Sequence, residues 1–326
     1  MFKKILVVSP SNLITGGPEA LHHLVHEMRI LGLPAYICYY PFNERHEIPE
    51  PYKGYQVDQT QYIDDSDNLI IFPETYTEQL SRVRFSKVAI WWLSLDNFLV
   101  KNQRKNDNFF REKLRYLRLS FKGSRPFLGV RGLKKAIHFS QSQYVASYLS
   151  KRGIKSNLLF EPINSKFLTP PDESIDSPRE NIILYNPAKG LKITNKLIAS
   201  FPNFKFLPLK GFTREQLVEK MKSAKIYIDF GNHPGRDRMP REAAMLGACV
   251  IVSRKGSAAY STDVPLPEKF KLDTLSDSFH RVFEALVIEI FNSFDQINDE
   301  LSGYRKHLIS EPEIFVNHIK HSFLNK

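Results

Sequence analysis

The sequence predicts an α/β protein of two open, mainly parallel-sheet domains facing across a cleft, with helices at the C-terminus. Three observations predict it. Short β-rich apolar runs alternate with segments of helical period, the pattern of βαβ units. That alternation lapses once, over a stretch rich in Pro, Ser and acidic residues, and then begins again. A chain of 326 residues with 42% hydrophobic residues is also long enough for two cores.

The first domain, 1–162, opens with KILVVS, whose Ile5–Val8 form a first buried strand. Its start is basic, but the apolar stretch is too short for a secretory signal and has no small-residue cleavage site. The helical segment EALHHLVHEMRILG follows, then strands in AYICYY, LIIFP, KVAIWWLSLD and KKAIHFS. The linker is 163–180, within EPINSKFLTPPDESIDSPRE. The second domain, 181–290, repeats the alternation: NIILYNP (strand), LKITNKLIASF (helix), KFLPL (strand), TREQLVEKMKSA (helix), KIYIDF (strand), PREAAML (helix) and CVIVS (strand). Thr213 and Gln216 have capping-box spacing and set the start of one helix. From Ser276 the pattern is helical almost to the end, with 291–326 forming C-terminal helices.

Composition narrows the function classes. Two cysteines, Cys38 and Cys249, lie far apart in apolar runs, so neither a disulfide framework nor a zinc-ligand spacing is present. No apolar segment approaches the roughly 20 residues needed to span a bilayer. A net charge of +11 favours polyanions, acidic small molecules or an anionic membrane surface. Part of it falls in the basic tract 101–135, where Phe110, Leu114, Leu117 and Phe121 share helical spacing with Arg111, Arg115, Arg118 and Lys122. Such a helix suits an anionic membrane face, or packs on its own domain with solvated arginines. The tract contains no recognised nucleic-acid motif.

The densest charge lies elsewhere, in GNHPGRDR at 231–238, between KIYIDF and the helix of PREAAML that Gly247 ends. Ligands of open α/β sheets bind beyond the carboxyl ends of strands, and a helix N-terminus offers N–H groups to anions. Arg236 and Arg238 add fork-shaped donors for phosphate oxygens, and Glu242, in the first helical turn, adds an acceptor for sugar hydroxyls. Glu242 equally fits a carboxylate that merely complements the helix dipole. His233 lies in the same loop and serves the ligand or positions the loop. Gly256 and Ser257, in KGSAAYSTDVP, let backbone approach a sugar or phosphate.

The order of YNPAKG (185–190), LPLKGFTREQLVEKMKSAKIYIDF (207–230) and REAAMLGACVIVS (241–253) resembles the donor-binding domain of GT-B glycosyltransferases, and SPSNLITGGPEALHHLVHEMRILG (9–32) is similar to that family's N-terminal Gly-Gly loop. The resemblance implies two Rossmann-like domains in the GT-B arrangement, the last helices packing back toward the first. It implies a glycosyltransferase, a hexosyl- or related transferase, that moves sugar from a nucleotide-sugar donor to a glycan or lipid-linked acceptor in bacterial surface polysaccharide, lipopolysaccharide or capsule synthesis. No metal or other cofactor is expected, and the site of action would be cytoplasmic, peripheral on the inner face of the membrane. Carried over by position, Lys189 holds the donor diphosphate beside Asn186, Gly211 with Phe212 meets the base, Glu242 binds the ribose, and Gly16 and Gly17 edge the cleft. The chain departs from the family at Pro234, where retaining members carry the first of two glutamates, and at Asn186 and Pro187, where an arginine is usual.

Glycosyl transfer builds negative charge on the departing phosphate, so fixed cations stabilise the transition state. Lys189 and Arg236 are the expected catalytic cations, with Arg238 next. An inverting enzyme also needs a base, and Asp96, ending KVAIWWLSLD, is the candidate, with Trp91 and Trp92 either facing sugar rings or buried as core. His22, His23 and His138 read as packed or solvated residues. The alternatives are a nucleotide-sugar epimerase of the same architecture, or a non-catalytic sugar- or nucleic-acid-binding protein.

Overall fold

The computed structural model describes residues 2–103, 133–168 and 178–324. They form two compact units, one of residues 1–161 with 314–326 and one of residues 162–313. Most of the basic tract, 104–132, lies outside the described residues, as do 169–177 of the expected linker.

The first unit is built on a parallel sheet of six strands: β1 (Lys4–Pro10), β2 (Ala35–Tyr40), β3 (Asn68–Pro73), β4 (Lys87–Trp92), β5 (Ile137–Ser140) and β6 (Asn157–Leu158), in the order β2-β1-β3-β4-β5-β6. Strands buried on both faces need continuous apolar runs, and alternate side chains go to opposite sides. Thus Ile5 and Val7 join one core while Leu6 and Val8 join another. Helix α1 (Gly16–Ile30) covers the first with Leu21, Leu24, Val25 and Met28, an i, i+3, i+4, i+7 stripe. Helices α2 (Leu95–Gln103) and α3 (Gln143–Ser150) cover Ile90 and Trp92. Phe315 and Ile319 complete the first core.

The second unit carries β7 (Glu180–Tyr185), α4 (Leu191–Ser200), β8 (Lys205–Pro208), α5 (Arg214–Ser223), β9 (Ala224–Asp229), α6 (Arg238–Met245), β10 (Cys249–Ser253) and β11 (Lys271–Leu272), followed by α7 (Phe279–Asn292), α8 (Phe294–Asp299) and α9 (Ser302–Phe323). Its parallel strands run β11-β10-β9-β7-β8. The capping box of α5 is present with both reciprocal bonds, Thr213 Oγ1 accepting from Gln216 N and Gln216 Oε1 from Thr213 N.

Two expected boundaries shift. The segment 163–168 is not linker, because Ile163 and Phe167 are buried in the second core and Asn164 closes the turn at Ser165–Phe167. Arg179 is likewise tied down, donating to Met221 O at 3.0 Å and Ala224 O at 2.8 Å. The C-terminal helices also divide: 291–313 belongs to the second unit, where Ile297, Leu301, Tyr304 and Leu308 are core residues, and only 314–326 groups with the first. Burying an aliphatic or aromatic side chain stabilises by roughly 1.5–3 kcal/mol, which is enough to fix such short elements.

Candidate functional site

In the second sheet the chain order reverses between β7 and β9, and such a switch point is where open α/β sheets hold ligands. Three loops meet there, those after β7, β9 and β10. After β7, Asn186 Oδ1 accepts from Ala188 N at 2.9 Å and Asn186 O accepts from Lys189 N at 3.0 Å, turning the chain so that Lys189 precedes Gly190, the N-cap of α4. Gly190 has φ +61°, and a Cβ there would lie 2.5 Å from the carbonyl carbon of Phe230. The two loops therefore touch backbone to backbone.

The loop after β9 is fastened to the next strand. Ser253 Oγ donates to Gly231 O at 2.5 Å, Ser257 Oγ to Gly235 O at 2.6 Å, and Ser257 N to His233 O at 2.9 Å. Gly256, φ +51°, allows this approach, since a Cβ would sit 2.1 Å from Asn232 O. His233 itself has φ +48° and is 2% exposed.

These fastenings hold a chain of charges. Lys189 Nζ donates to Asp237 Oδ1, Asp237 Oδ2 lies 3.0 Å from His233 Nδ1, and His233 Nε2 lies 3.1 Å from Asp229 O and 3.9 Å from Asp229 Oδ1. Burial opposes ionisation of Asp237, but the His233 hydrogen bond and the Lys189 charge outweigh it and hold the carboxyl below its usual range. Burial also opposes the imidazolium of His233, yet the Asp237 bond and the Asp229 charge raise its pKa. Asp229 is pushed up, chiefly by burial. The ligand atoms of Asp229, His233 and Asp237 lie within 4.8 Å of one another, a cluster the sequence reading did not single out. The ammonium of Lys189 already balances Asp237, so the cluster carries its own cation.

Arg236 departs from its expected role. Its side chain is buried and donates to Glu311 Oε1, while Arg241 Nη1 donates to Glu311 Oε2 at 2.9 Å and Arg241 Nη2 to Arg236 O at 2.8 Å. Glu311, on α9, is 0% exposed. Burying two guanidiniums demands a carboxylate partner, and satisfying it takes Arg236 away from solvent. Arg238 is the first residue of α6, half-buried, and Glu242 falls in the second turn of that helix, not the first.

No family model matches the chain, and no curated protein does. Solved structures do. A sucrose-phosphate synthase from Thermosynechococcus elongatus superposes with a TM-score of 0.68 at 12% identity, over 99% of this chain and 98% of that one. Anabaena HepE in complex with UDP-glucose gives 0.62 at 11% identity, over 99% and 100%. The apo structure of OtsA gives 0.58 at 9% identity, over 98% of each chain. The fold is GT-B. Its two sheets are the two Rossmann-like domains of that architecture.

Within the GT-B frame, Asn186, Lys189, His233, Arg236, Arg238, Glu242, Gly256 and Ser257 share the switch-point region of the second sheet. Gly211 and Phe212 lie on the adjoining loop after β8, Gly211 exposed at φ +80° and Phe212 packed partly on the core. In the first unit the matching switch point is between β1 and β3. Gly16 and Gly17 begin α1 beyond β1, and Asp96 sits half-buried in the first turn of α2 with Tyr144 Oη 3.5 Å away. Trp91 and Trp92 are fully buried, so neither offers a face to a sugar ring; their Nε1 atoms donate to Leu159 O at 2.7 Å and His138 Nδ1 at 3.0 Å. His22 is also core, bonded to Pro18 O and Tyr39 Oη at 2.7 Å each.

Sequence reasoning missed Glu74. It follows β3 directly, is buried, and accepts from Leu93 N at 2.9 Å. Burial pushes its carboxyl up to about 7 against these backbone donors. Its position one residue past a strand end was the available signal. Asp237 and Asp229 were equally visible as acids bracketing His233 at i±4.

Proposed function

We propose that this chain is a glycosyltransferase that moves a sugar, a hexose or a related unit, from a nucleotide-sugar donor to a glycan or lipid-linked acceptor. The observation that carries the reading is the placement of Lys189 and the N-terminus of α6 on adjoining loops at the switch point of the second GT-B sheet. Two structural neighbours were solved with UDP-glucose and with UDP-2-fluoro glucose bound, which supports a nucleotide sugar here.

In this reading the donor diphosphate lies on Lys189 at the positive dipole end of α6, with Arg238 at the helix start. The bond from the anomeric carbon to the phosphate oxygen breaks, its electron pair leaves with the nucleoside diphosphate, and the acceptor oxygen bonds to the anomeric carbon. Asp96 takes the acceptor's proton. Lys189 supplies the positive charge at the leaving group, so the transfer needs no metal. Arg236 supports the loop through Glu311 rather than touching phosphate. Glu242, Gly211 and Phe212 face the nucleoside, Gly256 and Ser257 the sugar or phosphate, and Gly16 and Gly17 add to donor binding from the first domain. Among the described residues no helix is long and apolar enough to cross a membrane. Work on bacterial surface polysaccharide at the inner face of the cytoplasmic membrane, assisted by the 101–135 tract, fits a lipid-linked acceptor.

The test is a melting-temperature screen against a panel of sugar nucleotides, since a ligand that binds only the native state raises the midpoint. At least one should do so, and Lys189→Ala should abolish the rise and lower turnover on the order of a hundredfold. A chelator should leave turnover unchanged. No shift with any nucleotide would overturn the reading.

A further inference from the structure

Asp237 occupies the N-cap position of α6, where an Asp side chain ordinarily accepts from the first helical N–H groups. It makes no such bond. One carboxylate oxygen is given to Lys189 and the other lies against His233. The carboxylate thus sits on the one lysine of the loop after β7, at a helix end whose dipole favours an anion. Lys189 is 33% exposed at its side chain and Asp237 12%, so the ammonium can be reached from solvent while the carboxylate is mostly covered. His233 is anchored on the far side by Asp229 O and leaves Asp237 a second partner when the lysine is taken.

We propose that Asp237 is an internal counterion that holds the place of a diphosphate on Lys189 and is displaced toward His233 when the anion binds. The inference rests on the donor reading above and deepens it, assigning Asp237 and His233 as positioning residues of the phosphate subsite. Two oxygens of one carboxylate bridge an ammonium and an imidazole, and the incoming phosphate replaces only the first of these contacts. The site is therefore neutral when empty, and an anion must compete for its cation. A strongly charged diphosphate does so where a monoanion does not.

The experiment is calorimetric titration of the full chain at low ionic strength with UDP and, separately, inorganic pyrophosphate. It uses the wild type, Asp237→Asn, Asp237→Ser, Lys189→Ala, and Lys189→Ala combined with Asp237→Asn. Removing the carboxylate should tighten both probes about tenfold, a change of about 1.4 kcal/mol. In the Lys189→Ala background the same change should gain nothing. A gain that persists without Lys189 is a general field effect and overturns the proposal, as does unchanged or weakened binding in both folded Asp237 variants. If pyrophosphate behaves as expected while UDP binds to none of the proteins, the counterion stands and the nucleotide reading falls. If neither probe binds any variant, both fall.

Discussion

At the switch point of the second sheet, Lys189, Asp237, His233 and Asp229 form a line of charges held by backbone and hydroxyl bonds. At the equivalent point of the first sheet a buried acid, Glu74, lies against the amide of Leu93, with Gly17 close enough that a Cβ would touch Leu93 Cδ1 at 3.9 Å. Both sheets begin with the same strand order, so topology alone does not furnish the site. The difference teaches that one loop set joins several charged side chains across loops, while in the other a buried carboxyl is held by a backbone amide. A common strand order thus carries two differently charged loop sets.

The contrast can be broken most forcefully beneath the charged region. Glu311→Ala leaves Arg236 and Arg241 buried without their shared carboxylate, and loss of one partner of such a cluster costs about 3–5 kcal/mol. Chemical denaturation should show the midpoint fall accordingly, and a loss below 1 kcal/mol would mean that the cluster is solvated. Next comes Gly256→Ala. Its Cβ would meet backbone at 2.1 Å with φ already positive, and strain with overpacking should cost about 3 kcal/mol.

Glu74→Gln sharpens the other side. The folded-state carboxyl, at about 7, lies above its ordinary value of 4.5, so the native protein holds a proton that the unfolded chain releases between those values. Stability from this group is fully present below about 4.5 and lost as pH rises toward 7. The Gln variant should lack that decline and exceed the wild type by roughly 3 kcal/mol at pH 8, with little difference at pH 4. Parallel pH–stability curves for the two proteins would remove Glu74 as a buried titrating group. The smallest effect is Gly17→Ala, which meets only ordinary contact inside a helix and should stabilise by up to about 1 kcal/mol. That one glycine tolerates a methyl group and the other does not would be the comparison in its simplest form.

The strands and helices were legible because both periods are written locally. KILVVS and CVIVS are buried on both faces, and the Thr213–Gln216 box is read within four residues. The position of Lys189 at a strand end was legible for the same reason. What escaped depends on distant partners. Arg236 reads as a phosphate ligand in a charged loop, but Glu311, 75 residues on, takes it inside. The same holds for Lys189 and Asp237, 48 residues apart, and for Trp92 and His138, 46 apart. Charge density in a sequence records how many ions a loop has, not which of them face one another. The expected first turn around Glu242 failed for a local reason: α6 starts at Arg238, so Pro240 lies inside the first turn, where a missing N–H is tolerated.

The two serine hydroxyls that reach from Ser253 and Ser257 to the carbonyls of Gly231 and Gly235 have a thermodynamic corollary. They set the loop after β9 to the register of β10 before any ligand arrives, so backbone ordering has already been met during folding. Capture of an anion there should proceed with a small heat-capacity change and no gain in protection of those amides from solvent exchange, the signature of a rigid cradle in which only side chains trade places.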